Sequence, residues 1–180
     1  MNDRYGIAVN QETVGMRMIF IGLLGIFLCT NTSYASSQSA IGENIASRGV
    51  TIVKASFGKT NVSVKITTHE IDIGKPGDGR PDLISSNCTY SRYPCSTVDD
   101  LEISVNGKDL SVARSVYADL ADLSKAVLRV NKKKQFILKL VGGDASESYT
   151  LEVTFDGGLV RQRTLTSNEA QHVMQKTSYF

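Results

Sequence analysis

In Ser148-Tyr149-Thr150-Leu151-Glu152-Val153-Thr154-Phe155 every second residue is apolar and every residue between is polar. That is the period of a strand that buries one face and wets the other. Its neighbours read the same way. Gln135 to Val141 is strand-like and joins through Gly142-Gly143-Asp144-Ala145-Ser146-Glu147, and Asp156-Gly157-Gly158 turns the chain into Leu159 to Thr166. Three sequence-adjacent antiparallel strands form a meander, expected at the centre of a sheet.

The same period recurs upstream. Val50 to Phe57 and Asn61 to Thr68 flank the turn Gly58-Lys59-Thr60, and in the second of them Val62, Val64 and Ile66 alternate with Ser63, Lys65 and Thr67. Leu101 to Val105 and Lys108 to Val112 flank Asn106-Gly107, the dipeptide favoured in a two-residue hairpin turn because both positions need positive φ. That register sets Ile103 opposite Leu110 and Leu101 opposite Val112, so the apolar residues share a face. Ala126 to Val130 reads as a further strand, and the basic turn Asn131-Lys132-Lys133-Lys134 discourages edge pairing. Three helical pieces are expected: a turn near Ile41 to Ala46, a short helix or helical turn over Ser115 to Leu123, and a terminal helix from Asn168 to about Lys176. The middle one would carry Val116, Leu120 and Leu123 on one side, with Asp119 and Asp122 facing out. In the last, Asn168 caps and Gln171 holds the reciprocal position.

These signals predict an all-β, mainly antiparallel fold: a two-sheet β-sandwich of about seven or eight strands with one or two short helices. An outer-membrane barrel would need strands of about 9–11 residues and aromatic girdles, for which 7 Tyr, 6 Phe and no Trp are thin. No internal repeat is present.

Met18-Ile-Phe-Ile-Gly-Leu-Leu-Gly-Ile-Phe-Leu-Cys29 is an uncharged apolar run preceded by Arg17 and followed by Ser33-Tyr34-Ala35, a small-x-Ala cleavage pattern. It is shorter than the roughly 20 residues of a bilayer crossing. Residues 1–35 therefore read as a cleaved secretory signal peptide and residues 36–180 as one β-rich domain. Asp3 and Glu12 make the first residues an unusual leader, so Met16 or Met18 is the alternative start. Leu28 before Cys29 is too large for lipoprotein processing. The leader carries two bases and two acids, so the remaining chain keeps the net charge of +2. Near-neutrality argues against a nucleic-acid binder, which would show a strongly basic face.

Once Cys29 leaves with the leader, Cys88 and Cys95 remain in a chain bound for an oxidising compartment, periplasmic or secreted, where an even pair forms a disulfide. Closing so short a loop contributes about 2–3 kcal/mol in the chain-entropy account. The spacing is not the Cys-x-x-Cys of a redox centre. The bridge ties down a stretch from Asp72 to Pro94 that holds all 3 prolines and breaks any ladder. Within it Tyr90, Arg92 and Tyr93 are the residue types enriched at binding hot spots, and they form the candidate binding site.

Catalytic chemistry is sparsely supplied. The 2 histidines, His69 and His172, sit in no metal-ligand spacing, and no Gly-x-Ser-x-Gly elbow is present. Asp78-Gly79-Arg80-Pro81-Asp82 resembles the second half of the calcium loops of FG-GAP and related repeats, in which an Asp-x-Asn-x-Asp-Gly-x-x-Asp run wraps oxygen ligands round the ion. The two earlier ligand positions here are Gly74 and Pro76, so half the charge is missing. Arg161 and Arg163 are candidates for an acidic partner, or for pairing with Glu152 across the strands. Asn61-Val62-Ser63 and Asn87-Cys88-Thr89 are glycan acceptors only on a eukaryotic secretory route.

The reading that follows is a small, non-enzymatic binding protein, exported to a bacterial periplasm or secreted. Its partner would be another protein or a cell-envelope component, with an inhibitor or immunity protein as one special case. No cofactor, nucleic acid or membrane span after cleavage is implied. The alternative is a calcium-dependent module or cryptic hydrolase using His69, Asp72, Asp78 and Asp82. N-terminal sequencing and a thiol titration of the exported protein check the shared premise: the chain is expected to begin at Ser36 and to carry no free thiol. Retention of the leader, or two reactive cysteines in the unfolded chain, would contradict it.

Overall fold

The computed structural model describes residues 40–75, 78 and 87–180. The expected leader and Asp82 lie outside them. Within this range the chain forms ten strands: β1 (Ile41–Asn44), β2 (Gly49–Phe57), β3 (Thr60–Ile71), β4 (Cys95–Val105), β5 (Lys108–Asp109), β6 (Leu123–Val130), β7 (Phe136–Gly142), β8 (Tyr149–Phe155), β9 (Val160–Ser167) and β10 (Val173–Ser178). All pairings are antiparallel. One sheet has six strands in the order β1-β6-β7-β8-β9-β10, and the other has four in the order β2-β3-β4-β5.

The expected meander is the body of the larger sheet. In β8 the alternation buries Tyr149, Leu151, Val153 and Phe155, and the register sets Leu151 against Leu140, Val153 against Leu138 and Phe155 against Phe136. The smaller sheet supplies Val53, Val64, Ile66, Leu101 and Ile103 to the same buried cluster. Burying each such side chain contributes about 1.5–3 kcal/mol. A run of rings crosses between the sheets: Phe57 of β2 lies 5.7 Å from Phe136, which lies 5.6 Å from Phe155, both pairs tilted.

The Asn106-Gly107 turn forms as expected, with φ of 52° and 78°. Ser104 pairs with Asp109 and Val105 with Lys108, and Leu110 donates its N–H to the Ile103 carbonyl at 2.8 Å. The ladder stops at Asp109, so Leu101 and Val112 do not pair through it.

Two of the three expected helical pieces are strands, and the middle one is a turn. Ile41–Asn44 is a strand on β6. Ser115 to Leu123 holds only a 3-10 turn at Arg114–Val116; Val116, Leu120 and Leu123 are buried as expected, but Asp122 is buried too, at 1% exposure. The terminal segment is β10, paired with β9. The capping residues are otherwise engaged: the Asn168 side chain accepts from the Thr150 hydroxyl, the Gln171 side-chain amide donates to the Asn168 carbonyl, and Gln171 itself has φ of 52°. The free backbone edge of β9 outcompetes an isolated turn of helix as a partner for this segment.

Two of the four register shifts in the ladders insert a charged residue. Thr67 pairs with Asp100 and Thr68 with Val98, which leaves Asp99 as the extra residue. Thr154 pairs with Gln162 and Phe155 with Val160, so Arg161 is extra and the phase of β9 shifts. Arg163 consequently points inward at 3% exposure.

Candidate binding surface

At one end of the fold the segment 114–122 carries the chain from the smaller sheet to the larger. Asp122 stands at the crossing with φ of 50°, a region that Asp and Asn tolerate better than most residues. Its buried carboxylate accepts the Thr89 N–H at 2.7 Å and the Ser96 N–H at 2.9 Å. Its backbone N–H donates to the Ser96 carbonyl at 2.6 Å, and its carbonyl accepts from Gly143 at 3.2 Å. One residue thus ties the stapled loop, the start of β4 and the β7–β8 connection together.

Neighbouring contacts reinforce the crossing. The Tyr149 hydroxyl donates to the Ala121 carbonyl at 2.6 Å and accepts the Ala121 N–H at 3.0 Å. Burial holds its ionisation well above the usual tyrosine range, against a smaller opposing effect of the Ala121 hydrogen bond. Gly142 is required here, because a Cβ would meet the Tyr149 ring. Arg163 donates to the Ser115 carbonyl at 2.9 Å and to both Asp119 oxygens at 2.9 and 2.7 Å. Of the two arginines weighed as partner contacts, Arg163 is therefore a buried structural cation, and Arg161 pairs with Asp156 at 2.7 Å. That pairing, with the Gly158 N–H, holds the Asp156 carboxyl below the usual range. Glu152 pairs instead with Arg129.

The Cys88–Cys95 disulfide is formed, with its Cα atoms 5.7 Å apart. Both cysteines are buried in a small cluster with Ile73 and Ala121, against which Ile71 and Tyr93 pack. This is a satellite core beneath the loop. The three expected binding residues separate here. Tyr90 is 58% exposed, Arg92 is half-buried, and Tyr93 lies half-buried with its hydroxyl enclosed. The Tyr90 N–H donates to the Glu147 carboxylate at 2.6 Å, which fastens the outer rim of the loop to the β7–β8 connection. Beside this clasp lies a cleft of about 180 Å³ lined in part by Asn87, Ser146, Glu147, Ser148, His172 and Met174. Small-molecule pockets run to about 300–1,000 Å³, so this cleft suits a single inserted side chain.

Of the residues of the alternative reading, His69, Asp72 and Asp78 are described, and each is engaged in a local contact. His69 Nδ1 pairs with Asp99 Oδ1 at 2.6 Å on an exposed strand face. Asp72 accepts the Gly74 N–H at 2.9 Å, and Asp78 accepts the Lys75 N–H at 3.0 Å. Both carboxylates serve local turns. Among the described residues no three His, Cys, Asp or Glu side chains are grouped to hold a metal ion.

Comparison of this chain with protein-family models, with curated proteins and with solved structures returns no match. Among the described residues no helix is long and apolar enough to cross a membrane. The disulfide fits an oxidising extracellular compartment.

Sequence reading set Asp122 facing out from a helix and Glu147 in a hairpin loop, and gave neither carboxylate its bond to the stapled loop. The available signal for Glu147 was Gly142-Gly143 just before it, since Gly143 at φ of 72° folds the connection back on itself. Truncating Asp122 orphans two buried donors at about 1–3 kcal/mol each. Asp122→Ala should therefore lower the urea-measured stability of the oxidised protein by about 2–5 kcal/mol. Asp122→Asn, which keeps one acceptor and tolerates the backbone angle, should lose about half of that. An alanine variant within about 0.5 kcal/mol of the parent would show the carboxylate to be dispensable.

Proposed function

We propose that this chain is an exported two-sheet β-sandwich that acts as a non-enzymatic binding protein in the periplasm or outside the cell. Its contact surface would be the stapled loop carrying Tyr90 and Arg92, together with the Glu147 and His172 cleft beside it. The observation that carries this reading is an exposed aromatic side chain on a loop fixed from beneath by a disulfide, a buried carboxylate and a rim hydrogen bond. A preorganised loop loses little conformational entropy on docking, and rigid aromatic and arginine anchors carry a disproportionate share of interface energy. Tyr93, packed onto the satellite core, would hold the loop in shape and make little direct contact.

A protein or other envelope macromolecule is the partner class supported, since the adjoining cleft has room for one side chain of a larger body. An inhibitor of a secreted enzyme or an immunity protein falls within this class. The test compares the exported protein with Tyr90→Ala/Arg92→Ala by quantitative pull-down from the envelope fraction. A partner held by the parent should be retained at least ten-fold less by the double variant, while Tyr93→Phe should retain it as the parent does. A partner held equally by the parent and the double variant would place the contact surface elsewhere.

A further inference from the structure

We infer that the outer edge of β2 is a docking site for an extended partner segment that presents one acidic and then two apolar residues at alternate positions. The Asn61 N–H donates to Asn106 Oδ1 at 2.8 Å, and the Asn61 carbonyl accepts the Asn106 N–H at 2.8 Å, so the backbone polar groups of Asn61 point toward β4. Its partner on the other side is Ser56. Ser56 is then a non-hydrogen-bonded pair with Asn61, and its own N–H and C=O point away from β3. The β2–β3 register runs from Gly49 to Phe57 without a shift, so Lys54, Ile52 and Val50 share that orientation. β2 ends its sheet, and among the described residues no backbone bond reaches these four positions. A nine-residue strand therefore offers a row of unpaired donors and acceptors along one side.

The side chains flanking that row describe what would pair there. Val50 is 52% exposed and Ile52 49%, while Val53 and Ala55 on the other face of the strand are buried in the core. Arg48, Lys54 and Lys59 lie on or beside the strand, and no acidic residue occurs between Glu43 and Glu70. None of the three cations is in an ion pair among the described residues. A groove of about 600 Å³, lined in part by Ile41, Lys54, Ser56, Asn61 and Ser63, opens next to the strand's far half. Two copies of the edge would bring like charges together, and an edge lysine acts against self-pairing. An acid opposite Lys54, with apolar residues opposite Ile52 and Val50, satisfies charge and burial at once. Strand addition supplies the affinity through main-chain hydrogen bonds, and the alternate side chains supply the selectivity.

The probe is the capped peptide Thr-Thr-Glu-Thr-Val-Thr-Val, whose antiparallel register places its acid opposite Lys54 and its valines opposite Ile52 and Val50. Titrated into the isotope-labelled exported protein, it should shift the amide resonances of Ile52 and Lys54. Replacing its glutamate by lysine, or N-methylating its third and fifth residues, should weaken binding about ten-fold or more. Lys54→Glu should reverse the preference between the acidic and lysine peptides. Ile52→Pro should abolish binding, because it removes an N–H that faces the open edge and none that faces β3; should that variant unfold, the N-methylated peptide tests the same bond on the parent protein. No shift at millimolar peptide, shifts confined to other strands, equal binding of acidic and lysine peptides, or a dimer of the parent formed through β2 would each overturn the assignment.

Discussion

A carboxylate with 1% of its residue's surface exposed, accepting two backbone N–H groups from separate parts of the chain, fixes the geometry on which this end of the molecule depends. Burying an ionised group is costly unless its lone pairs are satisfied. At Asp122 they are met by Thr89 on the stapled loop and by Ser96 at the start of β4. The residue also exchanges backbone bonds with Ser96 and Gly143. Because 114–122 is the crossover between the sheets, the position of this side chain determines both where β6 begins and where the loop can lie. The Tyr149 hydroxyl, bonded to both backbone groups of Ala121, locks the neighbouring residue to β8.

The disulfide and the Glu147 clasp act on the same loop from other sides. Cys88 and Cys95 close its base over a satellite core, Asp122 holds Thr89 from within, and Glu147 holds Tyr90 at the rim. Three tethers on so short a segment leave its exposed side chains with little backbone freedom. Arg163 does for the crossover what Asp122 does for the loop: its guanidinium, buried by the bulge at Arg161, grips Asp119 and the Ser115 carbonyl. Removing one partner of such a pair leaves a charge buried without compensation, typically at about 3–5 kcal/mol.

Where a period of two continues through a strand, the fold was legible from residues alone, as in the meander, the β2–β3 hairpin and the Asn106-Gly107 turn. The bulges at Asp99 and Arg161 were not, because a single inserted residue changes which side chains face inward without altering composition or turn signals. Asp122 misled for a related reason. Its spacing from Val116, Leu120 and Leu123 fits the outer face of a helix, but the segment makes a 3-10 turn at Arg114–Val116 and a further turn over 117–119 before Asp122 takes a positive φ, so the helical period does not carry through to it. Asn168 and Gln171 carry the letters of a capping box, yet the neighbouring edge of β9 supplies a competing set of partners. At the candidate site, the pairing of the two cysteines was legible from the sequence. The separation of Tyr90 from Tyr93 depended on the satellite core beneath, which includes Ile73 and Ala121 from distant positions.

The two surfaces proposed for partners lie on different parts of the fold and draw on different physics: fixed side chains on a tethered loop, and unpaired backbone on a cationic strand edge. Both require the sheets to be held in register at the crossover. The most direct measurement is therefore amide hydrogen exchange of the oxidised protein at Thr89 and Ser96. If the Asp122 carboxylate holds them, both N–H groups will be protected to nearly the same degree as Leu151 in the central strand. Exchange at Thr89 and Ser96 as fast as in an unstructured peptide, with the disulfide intact and Leu151 still protected, would contradict the account.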